Sequence, residues 1–162
     1  MPEISRHGPE AIDEVRHLWL ALRDHHASVQ PERGATRDDD ETWAMCSSAY
    51  RRWLAEAGAF VLLARDDDAV VGYALVRPDE PSATWRHPGR PALLEALSVA
   101  PAARGGGIGA ALMARVREEC RGEGYDALML GVVAGNRAAQ RFYERQGFAP
   151  SALVLMDTTY RP

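Results

Sequence analysis

Seven consecutive residues in the second half of the chain could bind an anion through their backbone. They are Arg104, Gly105, Gly106, Gly107, Ile108, Gly109 and Ala110. Because glycine has no Cβ, successive N–H groups can converge on one point, and the first turn of a following helix adds free donors and a partial positive charge. A tight turn alone does not need so many glycines, so the segment predicts a loop that binds a diphosphate.

Two common classes of phosphate-binding loop can be compared with this segment. A Walker loop is excluded because no Lys-Ser or Lys-Thr pair follows the glycines. A dinucleotide-binding loop stays open, since residues 105–110 satisfy Gly-x-Gly-x-x-Ala. That class places an acid about 20 residues further on, at the end of the next strand, whereas Asp126 precedes its predicted strand. An NAD(P)-dependent oxidoreductase is therefore an alternative function with less support.

A carboxylate ahead of this loop could act in proton transfer. Glu95 stands two residues before Leu97 and four before Val99, so strand alternation predicts that the three side chains share one face. A carboxylate at such a position could act as a general base, directly or through a water molecule. Glu95 is therefore the candidate base. The alternatives are an edge-strand acid paired with an arginine, and His25 or His26 as the base.

The pattern of apolar residues places these features in an α/β chain. Steps of three and four predict helices over residues 10–26 and from Glu41 to Ala57. The β-rich runs Ala59–Arg65 and Ala69–Arg77 predict a hairpin. In the second half of the chain, predicted strands and helices alternate. They are, in order, the strand Leu93–Val99, the helix Gly107–Arg121, the strand Ala127–Val133, the helix Arg137–Gln146 and a last strand near Leu153–Asp157. The length of 162 residues predicts a single domain over residues 1–162, with a mixed central sheet flanked by helices.

Two segments of the second half also carry a family pattern. Residues 104–109 fit Arg/Gln-x-x-Gly-x-Gly/Ala, with the strand motif of residues 97–101 ahead of them. Residues 136–148 fit Asn-x-x-Ala-x-x-Phe-Tyr-Glu-x-x-Gly-Phe. In these motifs the chain resembles the GCN5-related N-acetyltransferase (GNAT) family. The resemblance implies a GNAT-like acyl-CoA N-acyltransferase fold, in which two neighbouring strands of the central sheet splay apart and acetyl-CoA binds between them.

The resemblance also implies which residues hold acetyl-CoA. Leu97 and Val99 would bond pantetheine through their main chain, and residues 104–110 would hold the pyrophosphate. Asn136 predicts a helix N-cap by itself, and the resemblance adds a contact on the cofactor side.

The same resemblance implies two catalytic residues. Tyr143 would protonate the departing thiolate, for which a phenol is a credible donor; a structural aromatic beside Phe142 is the alternative. Glu95 matches the glutamate of polyamine-type members, whereas histone-type members carry theirs two positions earlier, where this chain has Leu93.

Composition limits the partners that we expect. A formal net charge of -4 and a pI near 5.7 give no global attraction for nucleic acid or an anionic membrane. No apolar run approaches the ~20 residues of a membrane span, and the N-terminus lacks a secretory apolar region. The histidines and cysteines show no metal-ligand spacing. We therefore expect a cytoplasmic protein without a metal, nucleic-acid or membrane partner.

These features predict an N-acetyltransferase that moves an acetyl group directly from acetyl-CoA to an amine. A small primary amine is the expected acceptor, because Glu95 and nearby acids would attract a cation; a protein N-terminus or a lysine is the alternative. A non-catalytic acyl-CoA-binding module is the alternative function. Acceptor specificity is expected from the first two helices and the loop Pro78–Pro91. Paired subunits are common in the family, which leaves a homodimer open.

Overall fold

The computed structural model describes residues 1–84 and 89–157, in which a single sheet carries helices on both faces. Its strands are β1 (Glu3–His7), β2 (Phe60–Asp66), β3 (Ala69–Pro78), β4 (Arg90–Val99) and β5 (Tyr125–Leu130). Its α-helices are α1 (Arg16–Val29), α2 (Asp39–Leu54), α3 (Ile108–Gly122) and α4 (Arg137–Arg145), with short 3-10 helices at Pro9–Val15, Pro31–Arg33 and Pro101–Ala103. Part of the predicted loop Pro78–Pro91, residues 85–88, lies outside the described residues.

The sheet has the strand order β1-β2-β3-β4-β5 and is mixed. Neighbouring strands from β1 to β4 pair antiparallel, whereas β4 and β5 pair parallel across the crossover helix α3. The predicted hairpin is confirmed, with Asp66 opposite Ala69 and Asp67 at a positive φ of 50° in the turn. β1 was not predicted, because its five residues are too few to show an alternating pattern.

Each face of the sheet buries its own hydrophobic core. In β2, strand alternation sends Val61 and Leu63 to the face covered by α1 and α2. Phe60 and Leu62 point to the opposite face, where they pack with the apolar side of α3. The result is a three-layer α/β/α arrangement, and the mixed sheet flanked by helices confirms the predicted fold class.

The helix ends follow local chemistry that was visible in the sequence. The Asp38 side chain caps α2 by accepting hydrogen bonds from the N–H groups of Asp40 and Glu41. Asn136 caps α4 in the same way, and Gly147, at a φ of 86°, ends the turn after α4. The first predicted helix differs, since residues Pro9–Val15 form a 3-10 turn and α1 begins at Arg16.

The strand predicted near Leu153–Asp157 is wrong. Residues 148–157 have no regular secondary structure, and Leu153 and Val154 are 77% and 92% exposed. Apolar β-prone residues form a strand only when a neighbouring strand completes their hydrogen bonds. Within the described residues, β5 pairs with β4 alone, so this segment has no ladder to join.

A close backbone contact links α1 to the start of α4. Gly135 precedes the α4 cap, and a Cβ at this position would overlap the carbonyl oxygen of Val29 at the end of α1. The N–H of Gly135 also donates to the side-chain oxygen of Gln30 at 3.4 Å. Only glycine allows the two segments to approach this closely.

We expect the substitution Gly135→Ala to lower the free energy of unfolding by about 1–3 kcal/mol, because the new methyl group forces the end of α1 away from the α4 start. Urea unfolding followed by circular dichroism measures the change. Gly122→Ala is the matched control, since a Cβ there meets nothing within 4 Å; it should leave stability equal or slightly higher. Equal stability of the two variants would show that the Gly135 contact carries no weight.

Candidate active site

β4 loses its neighbour half-way along its length. The parallel pairing with β5 ends at Leu94 opposite Leu130, whereas β4 continues to Val99. The remaining part of β4 therefore has a hydrogen-bonded neighbour on the β3 side only, and the two strands separate as the fold class requires.

The register shows which backbone groups this separation leaves bare. The N–H of Ala100 donates to the carbonyl of Val71 at 2.8 Å, so this pair is a hydrogen-bonded one. Antiparallel pairs alternate, so the N–H and C=O groups of Leu97 and Val99 point away from β3, into the gap towards β5. Backbone groups in such a position need a partner, and an amide-bearing ligand can supply it in the manner of an added strand.

The glycine loop follows directly and presents free N–H groups. Gly105 and Gly107 have positive φ angles of 82° and 83°, and α3 begins at Ile108. The hydrogen bonds of the described residues include none donated by the backbone N–H groups of residues 105–110, and the first helical bond runs from Ala111 to Gly107. Residues 104–107 are exposed. The loop therefore has the unpaired donors that a diphosphate requires.

Arg104 braces this loop instead of extending from it. Its Nε donates to the carbonyl oxygen of Val99 at 3.1 Å. This bond satisfies one of the carbonyl groups that face the gap and ties the loop to the end of β4. The Arg104 side chain therefore holds the loop against β4.

α4 closes the other side of the gap. Asn136 is 6% exposed, and its Oδ1 accepts a hydrogen bond from the N–H of Ala139 at 3.1 Å. A Cβ at Gly109 would lie 3.5 Å from two ring atoms of Phe142 and 3.9 Å from Val99. The glycine loop, α4 and the end of β4 are therefore in direct contact.

Tyr143 lies on α4 between two other aromatic rings. Its ring centroid is 5.1 Å from that of Phe142 and 5.7 Å from that of Phe148, both in edge contacts. Burial raises the pKa of its phenol to about 12, because desolvation disfavours the phenolate. The hydroxyl group therefore stays protonated at neutral pH and can donate a hydrogen bond or a proton.

Glu95 occupies an irregular position in β4. The residues before and after it, Leu94 and Ala96, pair with the consecutive β3 residues 76 and 75. Glu95 is therefore the extra residue of a β-bulge. A bulge has no signal in a single strand sequence, and sequence reasoning missed it.

The bulge overturns one expectation. Leu97 and Val99 pack against the core under α3 and α4, whereas Glu95 and Ala96 line a cleft on the face covered by α1 and α2. The prediction that Glu95, Leu97 and Val99 share one face is wrong, because one extra residue reverses the alternation of side chains. The Glu95 side chain therefore lies on the opposite face of the sheet from the side chains of Leu97 and Val99.

The carboxylate of Glu95 is held by an arginine that the sequence did not single out. Its Oε2 accepts from Nε of Arg77 at 3.1 Å, and the guanidinium of Arg77 stacks 4.9 Å from the ring centroid of Trp53. The ion-pair alternative for Glu95 is therefore present in the structure, although β4 is not an edge strand. The contacts of the described residues leave Oε1 without a partner, so this oxygen can still accept a proton.

The cleft beside Glu95 has a volume of about 480 Å³, and we name it the α1–α2 cleft. Its aromatic lining residues are Trp19, Tyr50 and Trp53, and its charged or titratable lining residues are Arg23, His26, Arg33, Cys46 and Glu95. Burial lowers the pKa of His26, so its imidazole is neutral at pH 7 and able to accept a proton. His25 does not line the cleft.

The cleft does not have the acidic lining that was expected to attract a cation. Glu95 is the one acid among its described lining residues, and Arg77 already pairs with it. Burial raises the pKa of the Cys46 thiol to about 12, so this thiol is protonated and a poor nucleophile at pH 7. The described residues contain no group of three metal-ligating side chains and no helix with the length and apolar character of a membrane span.

Comparisons with known proteins agree with this architecture. The family model described as the acetyltransferase (GNAT) family matches residues 19–148. An uncharacterized N-acetyltransferase of Mycobacterium tuberculosis is 34% identical over 122 residues, which cover 75% of this chain and 70% of that protein. A mycothiol acetyltransferase of Streptomyces avermitilis is 32% identical over 143 residues. That match covers 87% of this chain and 42% of the relative, so the chain spans less than half of the relative's length.

Solved structures share the fold at low sequence identity. The BH1408 protein of Bacillus halodurans superposes with a TM-score of 0.79 at 18% identity, covering 95% of this chain and 97% of that one. An aminoglycoside N-acetyltransferase in complex with CoA gives a TM-score of 0.73 at 18% identity, covering 100% and 95%. The family match extends from α1 to the residue after the α4 stop and includes the splayed strands, the glycine loop and the Tyr143 helix. The chain therefore belongs to the GNAT family and is an N-acetyltransferase.

Proposed function

We propose that the protein transfers an acetyl group from acetyl-CoA to the amine of a small molecule in one direct step. The observation that carries this proposal is the bare stretch of β4 from Leu97 to Val99, followed after the short 3-10 helix Pro101–Ala103 by the unpaired N–H groups of residues 105–110. One feature suits the amides of pantetheine and the other suits its diphosphate. The structure of the similar aminoglycoside N-acetyltransferase is a complex with CoA, which supports acetyl-CoA as the acetyl donor here.

The chain would hold acetyl-CoA mainly through its backbone. The main-chain groups of Leu97 and Val99 bond pantetheine, residues 104–110 bind the diphosphate, and Asn136 borders the cofactor at the start of α4. When bound, acetyl-CoA supplies an acetyl group activated as a thioester, whose C–S bond breaks as the amide bond forms. The residues that bind it have backbone positions set by the strand register and by α3, so little reorganisation is needed.

Glu95 is the proposed base. Glu95 lines the α1–α2 cleft, and the contacts of the described residues leave its Oε1 without a partner. There it removes the proton from the acceptor ammonium, directly or through a water molecule. The ion pair of Oε2 with Arg77 fixes the orientation of the carboxylate.

Tyr143 is the proposed acid. The protonated phenol lies on the α4 side of the gap, next to the glycine loop through Phe142. There it donates a proton to the sulfur as the thiolate departs. The proposed base and the proposed acid thus lie on opposite sides of β4. One proton is removed from the amine by Glu95, and another is donated to the sulfur by Tyr143.

The proposed acceptor is a small primary amine. The related mycothiol acetyltransferase and the structurally similar aminoglycoside N-acetyltransferase are named for small molecules. The cleft of about 480 Å³ has the size of a small-molecule site. The protonated thiol of Cys46 favours direct transfer over a covalent enzyme intermediate.

The central test is the release of free thiol from acetyl-CoA by the purified protein in the presence of an amine. We expect release that depends on both substrates, and a fall in kcat of about 100-fold in Glu95→Gln at pH 7. The loss should shrink towards pH 10, where the amine deprotonates without help. Glu118→Gln, a change of an exposed acid on α3, should keep full activity.

Two results would contradict parts of this assignment. No amine-dependent release with a panel of a monoamine, a polyamine, an amino sugar and a peptide would overturn the proposed transfer. A loss in His26→Asn instead of Glu95→Gln would assign the base to His26, whose neutral imidazole also lines the cleft.

The role of Tyr143 is tested by Tyr143→Phe, which keeps the packed ring and removes the hydroxyl group. We expect kcat to fall about 100-fold while the dissociation constant of CoA and the melting temperature stay unchanged. Because the pKa of the phenol is about 12, the wild-type profile should show no loss from tyrosine ionisation below pH 10. An unchanged kcat would leave Tyr143 a structural aromatic.

The glycine loop is tested by the affinity for acetyl-CoA in Gly107→Ala. A Cβ at a φ of 83° is strained, and the strain displaces the N–H groups of the cradle, so we expect the dissociation constant measured by calorimetry to rise about tenfold. Gly124→Ala imposes a similar strain at a φ of 76° before β5 and should leave the affinity unchanged. Equal affinities of both variants would place the diphosphate elsewhere.

A further inference from the structure

The walls of the α1–α2 cleft are aromatic and fixed in place. Trp19 of α1 packs against Trp43, with ring centroids 5.9 Å apart. The ring centroid of Trp53 in α2 lies 5.8 Å from that of Tyr50 and 4.9 Å from the guanidinium of Arg77. Trp19 and Trp53 are only partly buried by these contacts. Their remaining surface offers a flat apolar group a stacking site.

The charges of the cleft leave one place for a positive charge on the ligand, which is Oε1 of Glu95, because Arg77 pairs with the other oxygen of this carboxylate. Glu95 is the one lining acid in the described part of the chain. The lining residue Arg23 is neutralised by Asp24 and Asp39, at 2.6 Å and 2.7 Å. Arg33 lines the cleft, is exposed, and has no ion pair among the described contacts. A second ammonium group on the ligand would therefore meet a cation instead of a carboxylate.

From these observations we propose that the acceptor is a monoamine whose body is flat and apolar, such as an arylalkylamine, and that polycationic amines are rejected. This inference rests on the proposed acetyl transfer. The ammonium group lies at Oε1 of Glu95, the ring lies against Trp19 and Trp53, and Arg33 repels additional positive charge. The cleft thus selects by ring stacking and by charge number, in contrast to the polyamine-type acceptors that the position of Glu95 suggests.

Three amines test the proposal: phenethylamine, n-butylamine and spermidine, each compared at equal concentrations of its neutral amine. Each is assayed by thiol release from saturating acetyl-CoA. We expect kcat/KM for phenethylamine to exceed that for n-butylamine by about tenfold, because the buried ring area adds binding. Spermidine should be poorer than n-butylamine. A spermidine value equal to or above that for phenethylamine would overturn the proposal.

The substitution Trp19→Leu separates stacking from a structural role. It should reduce the preference for phenethylamine over n-butylamine to less than about threefold, because one aromatic wall is lost. The circular dichroism spectrum and the affinity for acetyl-CoA measure whether the variant is folded. An undiminished preference for the ring would show that Trp19 does not contact the acceptor.

Charge reversal at the rim tests the rejection of polycations. Arg33→Glu should raise kcat/KM for spermidine about fivefold at low salt and that for phenethylamine by a smaller factor, since spermidine carries more positive charges. Arg52→Glu makes the same change of net charge at an exposed α2 position that does not line the cleft, and should have no effect. Equal effects of both variants would remove the role of Arg33.

The outcomes also separate this proposal from the one that it depends on. Failure of all three amines to release thiol, in a protein that binds acetyl-CoA in calorimetry, would count against the transfer itself. Turnover of all three amines without preference would leave the transfer intact and overturn only the acceptor class.

Discussion

The backbone hydrogen bonds that β4 cannot complete are the constraint on which the site depends. After Leu94, the strand keeps β3 as a neighbour and loses β5. The N–H and C=O groups of Leu97 and Val99 then face a gap, where an unpaired amide is costly unless water or a ligand bonds it; of these groups, the Val99 carbonyl is bonded by Arg104. The elements around the gap are connected to this part of β4. The glycine loop follows the strand along the chain, and α4 packs against that loop through Phe142.

β4 also joins two binding regions that lie on opposite faces of the sheet. The core under α3 and α4 supports the cofactor side, and the cleft under α1 and α2 lies on the other side. The β-bulge at Glu95 is what gives a single strand access to both, because it turns this one carboxylate towards the cleft while Leu97 and Val99 keep their contacts with the other core. The hydroxyl group of Ser98 strengthens the arrangement by donating to the carbonyl of Leu18 in α1 at 3.2 Å.

Local chemistry made much of this predictable from the sequence. The caps at Asp38 and Asn136, the β2–β3 hairpin and the glycine loop each depend on residues within a few positions of one another. Long-range relations were not predictable in the same way. The bulge at Glu95 depends on the register with β3, and the ion pair with Arg77 joins residues 18 positions apart.

The failed prediction of a last strand has the same origin, since a strand is a property of two neighbouring segments and not of one. The family pattern predicts cofactor residues because its motifs are contiguous. It did not predict the aromatic walls of the cleft, because Trp19 and Trp53 belong to two different helices that carry no such motif.

The bulge makes the length of β4 more important than its composition. Most of its side chains could be exchanged for others of similar size, and the strand would keep its place between β3 and β5. Deletion of one residue next to Glu95 would restore regular pairing, yet it would shift every later residue by one step and send the wrong main-chain groups into the gap. During evolution this strand should accept point substitutions readily and reject insertions and deletions, so that its length is kept while its residue types change.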